Sequence, residues 1–170
     1  EGEADYNKFI KNCEKLIRGS QEYKLWRGYI TDVLQVQSCA ITLERMDQTS
    51  IDIHHHPCSL FSIVKALVNE KLEKEELFCT FDICTKVIEL HFQNVIGFVA
   101  LLSSMHQKFH NGFLNIPRSM IKGNYNVFLT EYGKYLDEEE LDVISSRLSI
   151  TDHNCNWTVD DYPGLKEGVL

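Results

Sequence analysis

Apolar residues fall at helical spacing from the start of the chain. Over residues 4–18, Tyr6, Phe9, Ile10, Cys13, Leu16 and Ile17 form one stripe, which predicts an amphipathic helix. Gly19 and Ser20 interrupt it, and "QEYKLWRGYITDVLQ" predicts a second amphipathic helix. The period then shortens to two. "CAITLERMDQTSIDIHH" predicts two short strands around the turn "MDQTS", with Ile51 and Ile53 on one face and Asp52 and His54 on the other.

Pro57 ends that strand. "SLFSIVKALVNEKL" and "TFDICTKVIELHFQN" predict two helices, capped by Ser59 and by Thr80 or Asp82, with Gly97 ending the second. "FVALL" is a short apolar run that predicts a strand. Ser103 can cap the following helix, "SMHQKFHNG", which Asn111 and Gly112 close. After Pro117, "NYNVFLTEYGKYL" and "DEEELDVISSRL" predict two further helices. The last twenty residues lack a period and predict a tail packed by Trp157 and Tyr162. The fold class expected is α+β, mainly α-helical, with a small β-ribbon.

A chain of 170 residues, 44% hydrophobic and 25% charged, is long enough for one domain with its own core. No apolar run is long enough to cross a bilayer, so no membrane partner is expected. The acidic start lacks an initiator Met, as expected from processing or trimming, and is not a signal sequence. The six cysteines form no Cys-x-x-Cys pair and predict buried free thiols, hence an intracellular protein. A net charge of −8 argues against a broad nucleic-acid surface, although "IPRSMIKG" is locally basic. Gly-rich phosphate loops, nucleophile elbows and zincin helices are missing from the sequence.

The candidate chemistry lies in the histidines. "IDIHHHPCSL" holds three of the seven in a row, His54, His55 and His56, and "LLSSMHQKFHNG" holds His106 and His110. The i, i+4 spacing puts the last two on one helical face, where both can offer a ring nitrogen to one ion. The bland alternative is a polar strand end and a solvated helix face. His91 stands on the helix before Gly97, where packing is its simplest role.

The order strand with His-His, then strand, then helix with His-x-x-x-His resembles the HNH, or ββα-metal, nucleases. The resemblance covers about residues 50–115. It implies that His54, His106 and His110 hold one divalent metal ion (Zn, Mg, Mn and Ni are not distinguished). It implies that His55 is the general base that takes a proton from the water attacking a phosphodiester. "HHHP" then stands for the family's His-His-x-x-Pro, one residue short. A register one residue later makes His55 the ligand and His56 the base.

The sequence departs from the family in three respects. The family's middle Asn falls at Gly97, so its backbone-tethering role passes to Asn94 or is vacant. The zinc-knuckle cysteines of many relatives fall at Leu102 and Met105. The segment 57–96 must hold an inserted helical pair.

The wording around both clusters also resembles proteins of large phages, which implies a viral origin and action in the host cytoplasm. On this reading residues 1–170 form one domain: N-terminal helices (1–37), an HNH-like core with a helical insertion (38–115), and C-terminal helices with a tail (116–170). His56, His91 and Asn94 are supporting candidates, and Arg118 and Lys122 are candidate phosphate contacts. The implied partner is nucleic acid, DNA before RNA. A viral binding protein that keeps the scaffold without turnover, acting on a host or viral protein, is the alternative.

Overall fold

A computed structural model of the chain describes residues 2–47 and 50–157. Seven α-helices and two strands are present among them: α1 (Gly2–Gly19), α2 (Gln21–Gly28), β1 (Ile51–His55), α3 (Leu60–Glu73), α4 (Thr80–Phe92), β2 (Phe98–Leu102), α5 (Ser103–His110), α6 (Tyr125–Tyr132) and α7 (Glu138–Leu148). The protein is thus mainly α-helical with one small antiparallel ribbon. β1 pairs with β2 so that Ile51 faces Leu102, His54 faces Val99 and His55 faces Phe98.

The long insertion between the strands is the predicted helical pair. Ser59 caps α3 through its side chain, which accepts from the Ser62 N–H. α4 begins one residue earlier in its logic than expected. Cys79 is the cap residue, and Asp82 reaches back to accept from the Cys79 N–H at 2.7 Å. Both helices pack against α1, whose Ile10, Cys13 and Ile17 are buried. That burial of an amphipathic face, rather than helix propensity, holds the three together.

The ribbon is the centre of the core. All five residues of β2 are buried, as the continuous apolar run "FVALL" requires of a strand covered on both faces. In β1 the alternation sends Ile51, Ile53 and His55 to one face and Asp52 and His54 to the other. α5 starts directly at the end of β2 with no intervening loop, so strand, strand and helix form one continuous unit. Leu102, not Ser103, occupies the cap position, and no side-chain cap bond forms.

Other elements also differ from the sequence expectation. The first of the two predicted strands does not form: 38–45 is a loop closed by a single bridge between Ser38 and Arg45. Local bonds win there, since the Thr42 N–H contacts Cys39 Sγ and the Leu43 N–H bonds the Cys39 carbonyl. The loop still touches the ribbon, because the Ala40 N–H donates to the Ala100 carbonyl at 2.8 Å. The second predicted helix changes to a π-turn over Tyr29–Val33, and the helix from 124 tightens to a 3₁₀ turn at Gly133–Tyr135. Asn94, with φ +57°, turns the chain after α4, a role the sequence reading gave to Gly97.

Gly97 has a different necessity. A Cβ there would lie 2.1 Å from the His56 carbonyl oxygen. The two segments approach that closely because the His56 N–H donates to the Gly97 carbonyl at 3.0 Å. Trp157 packs on the core and its indole N–H donates to the Asn115 carbonyl, as expected of the tail, while Tyr162 lies outside the described residues. The described cysteines carry free thiols, and Cys13, Cys39 and Cys58 are buried while Cys79 is exposed.

Candidate metal centre

The ribbon carries histidines on both faces, and the two faces differ in kind. On the α5 face, His54 Nδ1 and His106 Nε2 lie 2.9 Å apart, and His110 Nε2 lies 2.9 Å from the same His106 nitrogen. One ring nitrogen from each of the three lies within 4.8 Å of the others. His54 is buried, His106 half-buried and His110 exposed, so the cluster opens to solvent along α5. His54 belongs to β1, and the i, i+4 spacing of His106 and His110 brings both rings over it.

The fourth member is a residue the sequence reading placed on this face without giving it a role. Asp52 Oδ2 lies 3.1 Å from His106 Nδ1. With its Nδ1–H donated to that carboxylate, neutral His106 keeps a lone pair on Nε2, pointing into the cluster. Period-two spacing from His54 was the signal that could have found it.

Three imidazoles with one open side match the donor set of a catalytic zinc site. Ring nitrogens bonded to one tetrahedral ion at ~2.05 Å are about 3.3 Å apart, so the two 2.9 Å separations to His106 need to open by only a few tenths of an ångström, while the third lies within 4.8 Å. Burial keeps His54 neutral, pushing its pKa down to about 2, with the neighbouring His106 adding to the effect. His110 is also lowered, by partial burial and then by His106. Neutral rings are the form that binds metal.

The opposite face is sealed. His55 is buried, with Nε2 2.8 Å from His91 Nε2. The His91 Nδ1–H donates to the Val87 carbonyl at 2.6 Å, so its Nε2 accepts and His55 is the donor of the pair. Trp26 and Tyr23 lie over the His55 ring at 5.9 and 6.1 Å between centroids, nearly parallel to it. Burial pushes both histidines well down, His91 to about 4. The structure therefore brings His54, His106 and His110 together, and leaves His55 and His91 paired with each other on the far side of the sheet.

His56, two residues after His54, returns to the α5 face. Its ring is 5.9 Å from that of His54 and 5.5 Å from Phe109, and both of its nitrogens are buried without a hydrogen-bond partner. Burial, then Arg147, lowers it to about 3.

Asn94 contributes through its backbone, whose carbonyl accepts from the Asn124 N–H. Lys122 bridges to Phe98 through its backbone, and the Arg118 N–H bonds the Ile150 carbonyl; both side chains are exposed. The cation that acts on the histidines of the α5 face is instead Arg147, which the sequence reading did not single out.

A mainly α-helical protein whose two-stranded ribbon carries a candidate three-histidine metal cluster is the class that fold and site define. Its origin follows from the match of residues 1–160 to the family of Bacteriophage G278-like virion proteins. The chain belongs to that family. Comparison with curated proteins and with solved structures gives no match. No helix among the described residues is long and apolar enough to cross a membrane.

Proposed function

We propose that His54, His106 and His110 hold a divalent metal ion and that this centre hydrolyses phosphodiester bonds in nucleic acid. The observation that carries the reading is the convergence of three imidazole nitrogens, with Asp52 orienting His106, on a strand–strand–helix unit. That order is the one in which the sequence resembles the HNH nucleases. An all-imidazole donor set favours zinc or nickel over magnesium or manganese. A bound ion would supply Lewis-acid stabilisation of phosphate charge and an acidified water.

The proton acceptor in this reading is His56, a combination with His54 as ligand that neither sequence register gives, since the earlier makes His55 the base and the later makes His55 the ligand. It stands on the same face as His54 and has two unengaged nitrogens, whereas the His55 Nε2 is committed to His91. A base lowered to about 3 is neutral at pH 7 but weakly basic, so modest turnover is expected.

The sealing of His55 also favours a second reading, a virion component in which the metal fixes α5 to the ribbon without turnover. Elemental analysis of untagged protein and nicking of a supercoiled plasmid, with and without chelator, separate the two. One ion per chain with chelator-sensitive nicking supports hydrolysis. One ion without nicking supports the second reading, and substoichiometric metal unchanged by His106→Ala overturns both.

A further inference from the structure

We propose that Arg147 is an anion-binding residue at the rim of the three-histidine cluster, and that it selects a phosphate group as the ligand seated beside the metal. The proposal rests on the metal-centre reading above. Arg147 lies in the last turn of α7 and is half-buried. The chain has 25 acidic residues against 17 Lys and Arg, yet no carboxylate of the described residues pairs with this guanidinium. A permanently charged group removed from water without a counter-ion is costly unless an anion arrives to pair with it.

Its placement says where that anion sits. Arg147 Nη1 donates to the Pro57 carbonyl at 2.5 Å, which anchors the side chain just after the His54–His56 run. The guanidinium carbon lies 5.6 Å from the Phe109 ring centroid. The same ring is 4.7 Å from His54, 5.5 Å from His56 and 5.7 Å from His110. Phe109 is thus a wall shared by the cation and the histidines.

Among the described residues, one guanidinium hydrogen bond is made, to Pro57, out of five N–H donors. The remaining fork matches two oxygens of a phosphate, a geometry that lysine cannot reproduce. A phosphate held by this fork could place another oxygen toward the cluster. The shared chemistry is a tetrahedral phosphate oxyanion, supplied by a nucleic-acid phosphodiester or by free phosphate.

The test uses the full chain loaded with cobalt(II), whose visible spectrum reports both occupancy and changes at the open position. Inorganic phosphate and a thymidine dinucleotide are titrated separately into the unmodified protein, Arg147→Gln and Arg147→Lys. Cobalt affinity should stay within about twofold in all three, which also shows that the variants fold. Phosphate affinity should fall about tenfold or more in Arg147→Gln, the scale of a lost charge-assisted hydrogen-bond pair, and by less in Arg147→Lys. Parallel losses for the dinucleotide identify phosphodiester as the ligand, whereas losses for inorganic phosphate alone identify a free-phosphate site. Normal cobalt binding with affinity for both probes unchanged by Arg147→Gln overturns this proposal alone. No cobalt binding by the unmodified protein overturns the metal-centre reading and this one with it.

Discussion

Asp52 and His106, 54 residues apart, meet at 3.1 Å across the open face of the ribbon. The carboxylate fixes the ring's tautomer and aims Nε2 at His54 and His110. Asp52→Asn keeps the size but offers an amide whose donor competes with the imidazole N–H. Metal affinity should fall about 10–100-fold, the usual cost of removing such a partner. Competition against a chromophoric chelator measures it, and an unchanged affinity would show that Asp52 has no role in orienting the ligand.

The His55–His91 pair should contribute to acid stability in the metal-free protein, in addition to the buried His54 and His56. Above pH 6.5 both rings are neutral whether the chain is folded or not, and they contribute no pH dependence. Below it the unfolded chain takes up protons that the buried pair refuses, so stability falls as pH falls, down to about pH 4 where His91 itself protonates. These two groups contribute up to about 2.7 kcal/mol per pH unit to the slope, on top of the share of His54 and His56. His91→Leu alone should cost about 1–3 kcal/mol, because the His55 N–H loses its acceptor. The double replacement His55→Leu/His91→Leu should be milder than that single one and should flatten the slope. Denaturant melts of metal-free protein between pH 4 and 7.5 decide this, and an unchanged slope in the double variant would refute the assignment.

Period and spacing made the helices, the second ribbon strand and the helical insertion legible, because each buries one face and its apolar pattern says so. The strand expected at 39–45 failed for a local reason. Its alternating Cys39, Ile41 and Leu43 read as a strand, but side-chain and backbone bonds from Thr42 and Leu43 back to Cys39 fold the segment on itself. The candidate ligands were legible from the His-x-x-x-His spacing and the preceding strand order. What distinguishes His55 from His56 was not. Three adjacent histidines look alike in sequence, and only the partner on each side of the sheet, Trp26 and His91 or Phe109 and Arg147, separates them. Arg147 was hidden for the same reason, since it comes from a helix 90 residues beyond the Pro57 carbonyl that it binds.

Gly97 should tolerate no side chain. A Cβ 2.1 Å from the His56 carbonyl meets backbone, which cannot swing aside as a side chain would. Gly97→Ala should therefore cost roughly 3 kcal/mol or more, at or beyond the upper end for overpacking. The strain falls on the end of β1 that carries His54, so metal affinity should drop with stability. Thermal melts with and without zinc test both, and a variant within about 0.5 kcal/mol of the parent would mean that the two segments are not held at this distance.

Assignment of the proton acceptor distinguishes two neighbours that a sequence comparison would interchange. His56→Ala should leave metal stoichiometry intact and lower hydrolysis on the order of 100-fold, the usual range for loss of a general base. His55→Ala should act through the fold instead. It empties the space against Tyr23 and Trp26 and strips His91 Nε2 of its donor, so its main effect should be on stability. At a temperature well below its melting point it should keep most of its hydrolytic rate per folded molecule. Arg147→Gln provides the control for binding, raising KM for a small phosphodiester more than it lowers kcat if its contact is already made in the ground state. Single-turnover rates for the three variants, normalised to folded fraction and bound metal, resolve the roles. A 100-fold loss in folded, metal-loaded His55→Ala, with His56→Ala near normal, would return the base to His55 and require the sealed face of the ribbon to open during turnover.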